Sequence, residues 1–240
     1  MSKTAILIPA RYGSKRFPGK PLALLNEVPM IKRVYNAATA TGLDTYVLTD
    51  DLRIFELFNA RNCWIDETEY ANGTERCAGA VKNAFFARYD KFINVQGDMP
   101  DVTTDMVDKC ISGLQHYPVS TVFTKMPEEK QNEPTSVKMV RAGDDALWFG
   151  RGMTGYGEWH LGVYGYKRNA LEMYPNLIVE REEEIEQLEQ LRWLKNAWPI
   201  GCLSVYYNGV EINAPEDVDE WHKKRLLEGF TSLPVSVITN

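Results

Sequence analysis

Arg11, Lys15, Arg16 and Lys20 fall within ten residues of one another. Four cations gathered in one segment repel each other, so a loop that keeps them together expects an anion. Gly13 and Gly19 let a ligand approach the backbone closely, and Pro18 and Pro21 stiffen the segment. The chemistry this suggests is polyphosphate binding; the alternative is an ordinary solvated basic loop. Position favours the phosphate, because the loop leaves Ala5-Ile6-Leu7-Ile8, an apolar run with the length of a buried strand. In α/β sheets ligands collect outside the carboxyl ends of strands. The spacing fits neither the Walker A loop nor the dinucleotide fingerprint.

A second group ends another apolar run. Lys91-Phe92-Ile93-Asn94-Val95 leads straight into Gln96-Gly97-Asp98, where Asp98 could hold a divalent cation against phosphates or cap the helix that follows from Thr104. Gly73-Thr74 at a helix start offers backbone N–H groups and a hydroxyl to a ligand, and simple turn-and-cap chemistry reads equally well. Asp50 and Asp51 could likewise cap the helix after them. Arg151, His160 and Tyr164 could converge on an anionic ligand, although their spacing alone favours His160 and Tyr164 filling a sheet face. Residues 180–189 form an acidic run with Ile185, Leu188, Leu191 and Leu194 at helical intervals. Glu189 and Gln190 therefore read as mid-helix.

The elements that must position these groups alternate. Helical spacing over 30–40 is followed by a strand at 45–48 and a helix at 52–58, then a short strand at 63–65 and a helix at 77–88. Strands follow at 91–95, 119–124, 133–140, 146–149, 160–166 and 202–207, and Pro215 suits the first turn of a last helix to about 228. This alternation implies right-handed crossovers between parallel strands. The expected fold is α/β, a mostly parallel sheet flanked by helices, in a single domain over 1–240.

Bulk properties narrow the partners. At 44% apolar and 25% charged the composition is that of a globular chain, and the net charge of -6 argues against broad affinity for nucleic acid or membrane surfaces. Cys63, Cys77, Cys110 and Cys202 are scattered without Cys-x-x-Cys, which points to buried reduced thiols and a cytoplasmic home. No apolar run reaches membrane-spanning length.

Several strings occur together in order. Pro9-Ala10-Arg11-Tyr12-Gly13-Ser14 with Arg16 and Pro18-Gly19-Lys20-Pro21-Leu22 is the most specific. Thr49-Asp50-Asp51, Gly73-Thr74 with Arg76, Gln96-Gly97-Asp98, Glu133-Pro134 with Val137-Lys138, His160 with Gly162 and Tyr164, and Leu188-Glu189-Gln190-Leu191-Arg192 follow. On these strings the chain resembles the 3-deoxy-manno-octulosonate cytidylyltransferase (CMP-Kdo synthetase) family of sugar nucleotidyltransferases, from Ala5 to about Trp221.

The resemblance implies a nucleotide-diphospho-sugar transferase-like, Rossmann-like fold. It implies magnesium-dependent transfer of CMP from CTP to an acidic sugar, most simply Kdo, by attack of the anomeric hydroxyl on the α-phosphate. Arg11, Arg16, Lys20 and Asp98 would be catalytic, and Ala10, Arg11, Gly13, Ser14, Lys20, Gly73, Thr74, Arg76 and Asp98 would hold the nucleotide. Gln96, Arg151, His160, Tyr164, Glu189 and Gln190 would line the sugar pocket, and Asp98 with Asn213 would carry Mg2+. A homodimer is what the family suggests.

Three departures from the family pattern stand out. Ile212-Asn213-Ala214-Pro215 replaces Val-Asp-Thr-Pro, so a neutral amide stands where a carboxylate is usual, which predicts weaker magnesium binding. Met99 replaces a Glu, and the connector from Gly150 to His160 is shorter. Alternatives are the same chemistry on another ulosonic or nonulosonic acid, or a catalytically silent CTP-binding protein. A nicotinamide-dependent dehydrogenase is disfavoured by the missing glycine fingerprint.

Overall fold

The computed structural model describes residues 3–13 and 16–227. Ser14 and Lys15 of the basic loop, and the tail from 228, lie outside the described residues. The first half of the chain lays down β1 (Thr4–Ala10), a small hairpin of β2 (Leu24–Leu25) and β3 (Val28–Pro29), α1 (Met30–Thr39), β4 (Asp44–Thr49), α2 (Leu52–Phe55), β5 (Cys63–Ile65), α3 (Gly73–Val81) and β6 (Lys91–Val95). The second half adds α4 (Thr104–Gly113), β7 (Val119–Thr124), β8 (Lys138–Ala142), β9 (Asp145–Gly150), β10 (Glu158–Lys167), α5 (Arg168–Met173), α6 (Arg181–Glu186), α7 (Leu191–Lys195), β11 (Ile200–Ser204) and α8 (Pro215–Leu227).

Nine strands form one sheet in the order β5-β4-β1-β6-β10-β7-β11-β9-β8. Both faces are covered, which is why β1 reads as an unbroken apolar run. Ile6 and Ile8 pack with Ile31 and Val34 of α1 and Met106 of α4 on one side. Ala5 and Leu7 pack with Cys77 of α3, Phe86 and Leu171 of α5 on the other.

The sheet is mixed rather than mostly parallel. Parallel pairing holds for β4–β5, β1–β4, β1–β6 and β7–β11. By contrast β10 runs antiparallel to β6, β7 and β8, and β8–β9 and β9–β11 are antiparallel as well. The reason is local: strands 8 to 10 follow one another without helices. Gly143, at φ 60, opens the two-residue connection of the β8–β9 hairpin. Reversing β10 brings its first residues to the same edge as the last residues of β1, β4 and β6, so both strand ends contribute to one site.

Two further expectations change. The helix expected at 77–88 begins at Gly73, because Asn72 caps it by accepting from the Glu75 N–H at 2.9 Å, and it ends at Val81. The single helix expected through 180–194 is broken. Gln187 takes φ 54, in the left-handed region, and ends α6. Glu189 and Gln190 therefore sit in a turn between two short helices, not in the middle of one.

Candidate active site

The basic loop is shaped by contacts at its two ends. The Tyr12 N–H donates to Asp50 Oδ1 at 3.2 Å, and the Arg53 guanidinium lies 3.4 Å over the Tyr12 ring. Asp51 is the cap of α2, accepting from the Arg53 N–H, which leaves Asp50 free to serve the loop. The Gly19 N–H returns to Tyr12 O, and Gly19 sits at φ 71, where a Cβ would meet the Tyr12 hydroxyl at 3.2 Å. Glycine is required there for both reasons. Arg11 and Arg16 are exposed and make no ion pair among the described residues.

Lys20 closes the loop onto β6. Its Nζ lies 2.6 Å from Asp98 Oδ2 and 3.0 Å from Ile212 O, and the Ile212 N–H donates to Asp98 O. One amine thus joins the first loop, the end of β6 and the segment ahead of α8. Gly97 allows this approach, since a Cβ there would stand 3.0 Å from Pro9 O. Asn213 follows Ile212, and its N–H is taken by Asp217 Oδ2. Met99 is buried in the core and does not replace a carboxylate at the site.

The opposite wall is built around Glu189. Its carboxylate accepts from the Thr74 N–H at 2.9 Å and from Gln96 Nε2 at 2.7 Å. Burial raises its pKa, opposed by the Thr74 N–H. Thr74 Oγ1 pairs with the Tyr166 hydroxyl, so the groups that sequence left open to a ligand are taken by the protein. Arg76 is likewise committed, to Asp50 Oδ2 at 2.9 Å and Asp66 O at 3.1 Å, and it braces the basic loop from behind. The turn bearing Glu189 and Gln190 is fastened by Arg192, which bonds Glu183 through two nitrogens and Glu75 at 2.7 Å.

Gln190, Tyr164 and His160 continue this wall inward. The Tyr164 hydroxyl donates to Gln190 Oε1 at 3.2 Å, and Gln190 Nε2 is buried without a partner. His160 is buried against Phe149, 5.2 Å from the Tyr164 ring, with Nε2 2.9 Å from Thr121 Oγ1. Burial, with Arg151 nearby, pushes its pKa down to about 3, so the ring is neutral. Arg151 is held by Glu186 and Thr135 O, and Lys138 donates to its carbonyl. Burial and the neighbouring charge of Arg16 disfavour its own charge, so the two cations together favour an anion between them.

Sequence reasoning missed Glu211. Burial, then the charge of Asp98, pushes its pKa up to about 8, opposed by Lys130, Arg151 and Lys20. The signal was present as a lone acid two residues before Asn213.

Among the described residues no group of three or more His, Cys, Asp or Glu side chains could hold a metal by itself. Asp98 and Asn213 are hard oxygen donors of the kind magnesium takes alongside substrate phosphates, so the donor set fits that ion.

A mixed α/β sheet with a basic loop after β1, a carboxylate after β6 and the Glu189–Gln190 turn beside them is the frame of a nucleotide-dependent transferase of the α/β class. The chain belongs to the cytidylyltransferase family, whose model matches residues 5–212. It is 38% identical to the 8-amino-3,8-dideoxy-manno-octulosonate cytidylyltransferase of Shewanella loihica, over 89% of this chain and 94% of that one. It is 35% identical to the 3-deoxy-manno-octulosonate cytidylyltransferase of Desulfosudis oleivorans, over 90% and 94%. A solved CMP:2-keto-3-deoxy-manno-octonic acid synthetase complexed with CTP superposes with a TM-score of 0.84 at 31% identity, over 95% of this chain and all of that one.

Proposed function

We propose that this protein transfers CMP from CTP to an acidic eight-carbon ulosonic sugar, Kdo or its 8-amino analogue, and releases pyrophosphate. The observation that carries this is the junction of Lys20, Asp98 and Ile212, where the basic loop meets the end of β6. Around it, Arg11, Arg16 and Lys20 neutralise the triphosphate, with guanidinium forks suited to phosphate oxygens. Lys20 leaves Asp98 for the phosphates as the nucleotide enters. On the other side Arg151 attracts the sugar carboxylate, and Gln96, Glu189, Gln190 and Tyr164 orient its hydroxyls. Neutral His160 stiffens the Tyr164 face through Thr121.

Asp98 and Asn213 would hold magnesium, which when bound neutralises phosphate charge and lowers the pKa of a coordinated hydroxyl. The protein's own contribution is to align the sugar hydroxyl with the α-phosphate and to offset the charge of the departing pyrophosphate, with no covalent intermediate. The proposal includes a cytoplasmic, homodimeric enzyme. Four free buried cysteines support the cytoplasmic part, and the homodimer rests on the family resemblance alone.

The test is pyrophosphate release from CTP with Kdo, 8-amino-Kdo and a nonulosonic acid, with the CMP-sugar product identified by mass. Product from either eight-carbon sugar supports the proposal. Tight CTP binding with no product from any sugar would leave a silent nucleotide-binding protein.

A further inference from the structure

Residues 210–213 pass Asp98 outside any helix or strand. Val210 and Ile212 are buried, while Glu211 and Asn213 are half-buried. With the Val210 and Ile212 N–H groups both turned to the loop after β6, this alternation leaves Glu211 and Asn213 as the more exposed residues of the stretch. The stretch is fixed against the loop after β6 at two points. The Ile212 N–H donates to Asp98 O at 3.1 Å and the Val210 N–H to Asp101 Oδ2 at 3.1 Å. Asp101 is itself clamped by Trp221 Nε1 at 3.0 Å and by Arg225 of α8.

We infer that Glu211 supplies, with Asp98, the second carboxylate for the divalent cation, a charge that Asn213 cannot give; this rests on the transferase reading above. Glu211 is in electrostatic reach of Asp98, with Lys20, Lys130 and Arg151 as counter-charges, and its carboxylate makes no hydrogen bond or ion pair among the described residues. The Ile212 N–H bond to Asp98 O seats the residue next to Glu211 against Asp98, and a Glu211 carboxylate with none of the usual donors is open to a cation there. A second observation points the same way. The Tyr207 hydroxyl, on a residue only 7% exposed, has no hydrogen-bond partner among the described residues, and the charges acting on it are Glu211, Asp101 and Asp98, opposed by Arg225. A buried hydroxyl left open beside these acids is available to a water on the ion. One or two carboxylates completed by phosphate oxygens and waters is the usual way a protein holds magnesium.

The test uses Mn2+ as the probe, its free concentration followed by electron paramagnetic resonance in the presence of CTP. Glu211→Gln is expected to weaken Mn2+ binding about tenfold. Adding Asn213→Asp to that variant is expected to bring affinity back to within about threefold of wild type, because the missing charge returns on the same stretch. Thermal melting screens each variant for folding, and Glu211→Ala, judged by the same thresholds, replaces a Gln variant that does not fold. Folded Glu211 variants that bind Mn2+ within twofold of wild type would overturn the inference. A wild type that binds no Mn2+ with CTP, or an Asp98→Asn variant that binds it unchanged, would instead defeat the transferase reading of Asp98, and the inference with it.

Discussion

Lys20 Nζ sits 2.6 Å from Asp98 Oδ2, 78 residues away in sequence, and it also holds the carbonyl of Ile212. These two charges therefore satisfy each other: the amine proposed for phosphate rests on the carboxylate proposed for the metal. Lys20→Ala is expected to weaken metal-free CTP binding. Asp98→Asn is expected to leave metal-free binding no weaker than wild type, since it releases the amine. Calorimetry without metal separates the two, and both variants are expected to lose on the order of 10²–10³ in kcat, as for other groups that stabilise developing charge.

Gly73 packs where a Cβ would meet Pro9 Cγ at 3.1 Å and Gln96 Nε2 at 3.2 Å. Of these neighbours the Gln96 side chain can move, at the expense of its bond to Glu189. Gly73→Ala is expected to lower kcat/KM for the sugar about tenfold, or ~1.4 kcal/mol, with folding intact. Steady-state kinetics with the sugar varied checks this.

Arg192 is buried and shared by Glu183 and Glu75, so removing it strands buried carboxylates. Arg192→Met is expected to cost about 3–5 kcal/mol of stability, which for a chain of this size is roughly 10 °C in melting temperature. Calorimetric melting reads it directly.

His160 imposes a pH dependence. Its folded pKa is lowered to about 3 against 6.5 unfolded, so between these values the unfolded chain binds a proton that the folded one refuses. Stability is full above pH 6.5 and falls on acidification, by about 1.4 kcal/mol per pH unit at most. Urea unfolding at pH 7.5 and 5.5 is expected to show a steeper loss for wild type than for His160→Gln; equal slopes would contradict it.

The sequence was legible wherever one local rule decided the outcome. The apolar run of β1, the strand before Asp98 and the helix at 30–39 could be read directly, and so could the basic loop that follows β1. The direction of β10 was not legible, because strand pairing is settled by distant partners. Nor was the break at Gln187, where the distant pairing of Arg192 with Glu183 and Glu75 ties down the turn against an unbroken helical pattern. Thr74 and Arg76 illustrate the limit for site residues. Their types suit a ligand, and the fold also gives them protein partners, Glu189 and Asp50, that lie too far off in sequence to be read there. Glu211 shows the converse, an acid whose one local signal is its place two residues before Asn213 and which the fold brings under the charge of Asp98.

The most direct measurement is a crystal structure with CTP bound. The triphosphate is expected among Arg11, Arg16 and Lys20, with Lys20 Nζ drawn beyond hydrogen-bonding distance of Asp98. A nucleotide bound elsewhere, with the Lys20–Asp98 pair intact, would contradict it.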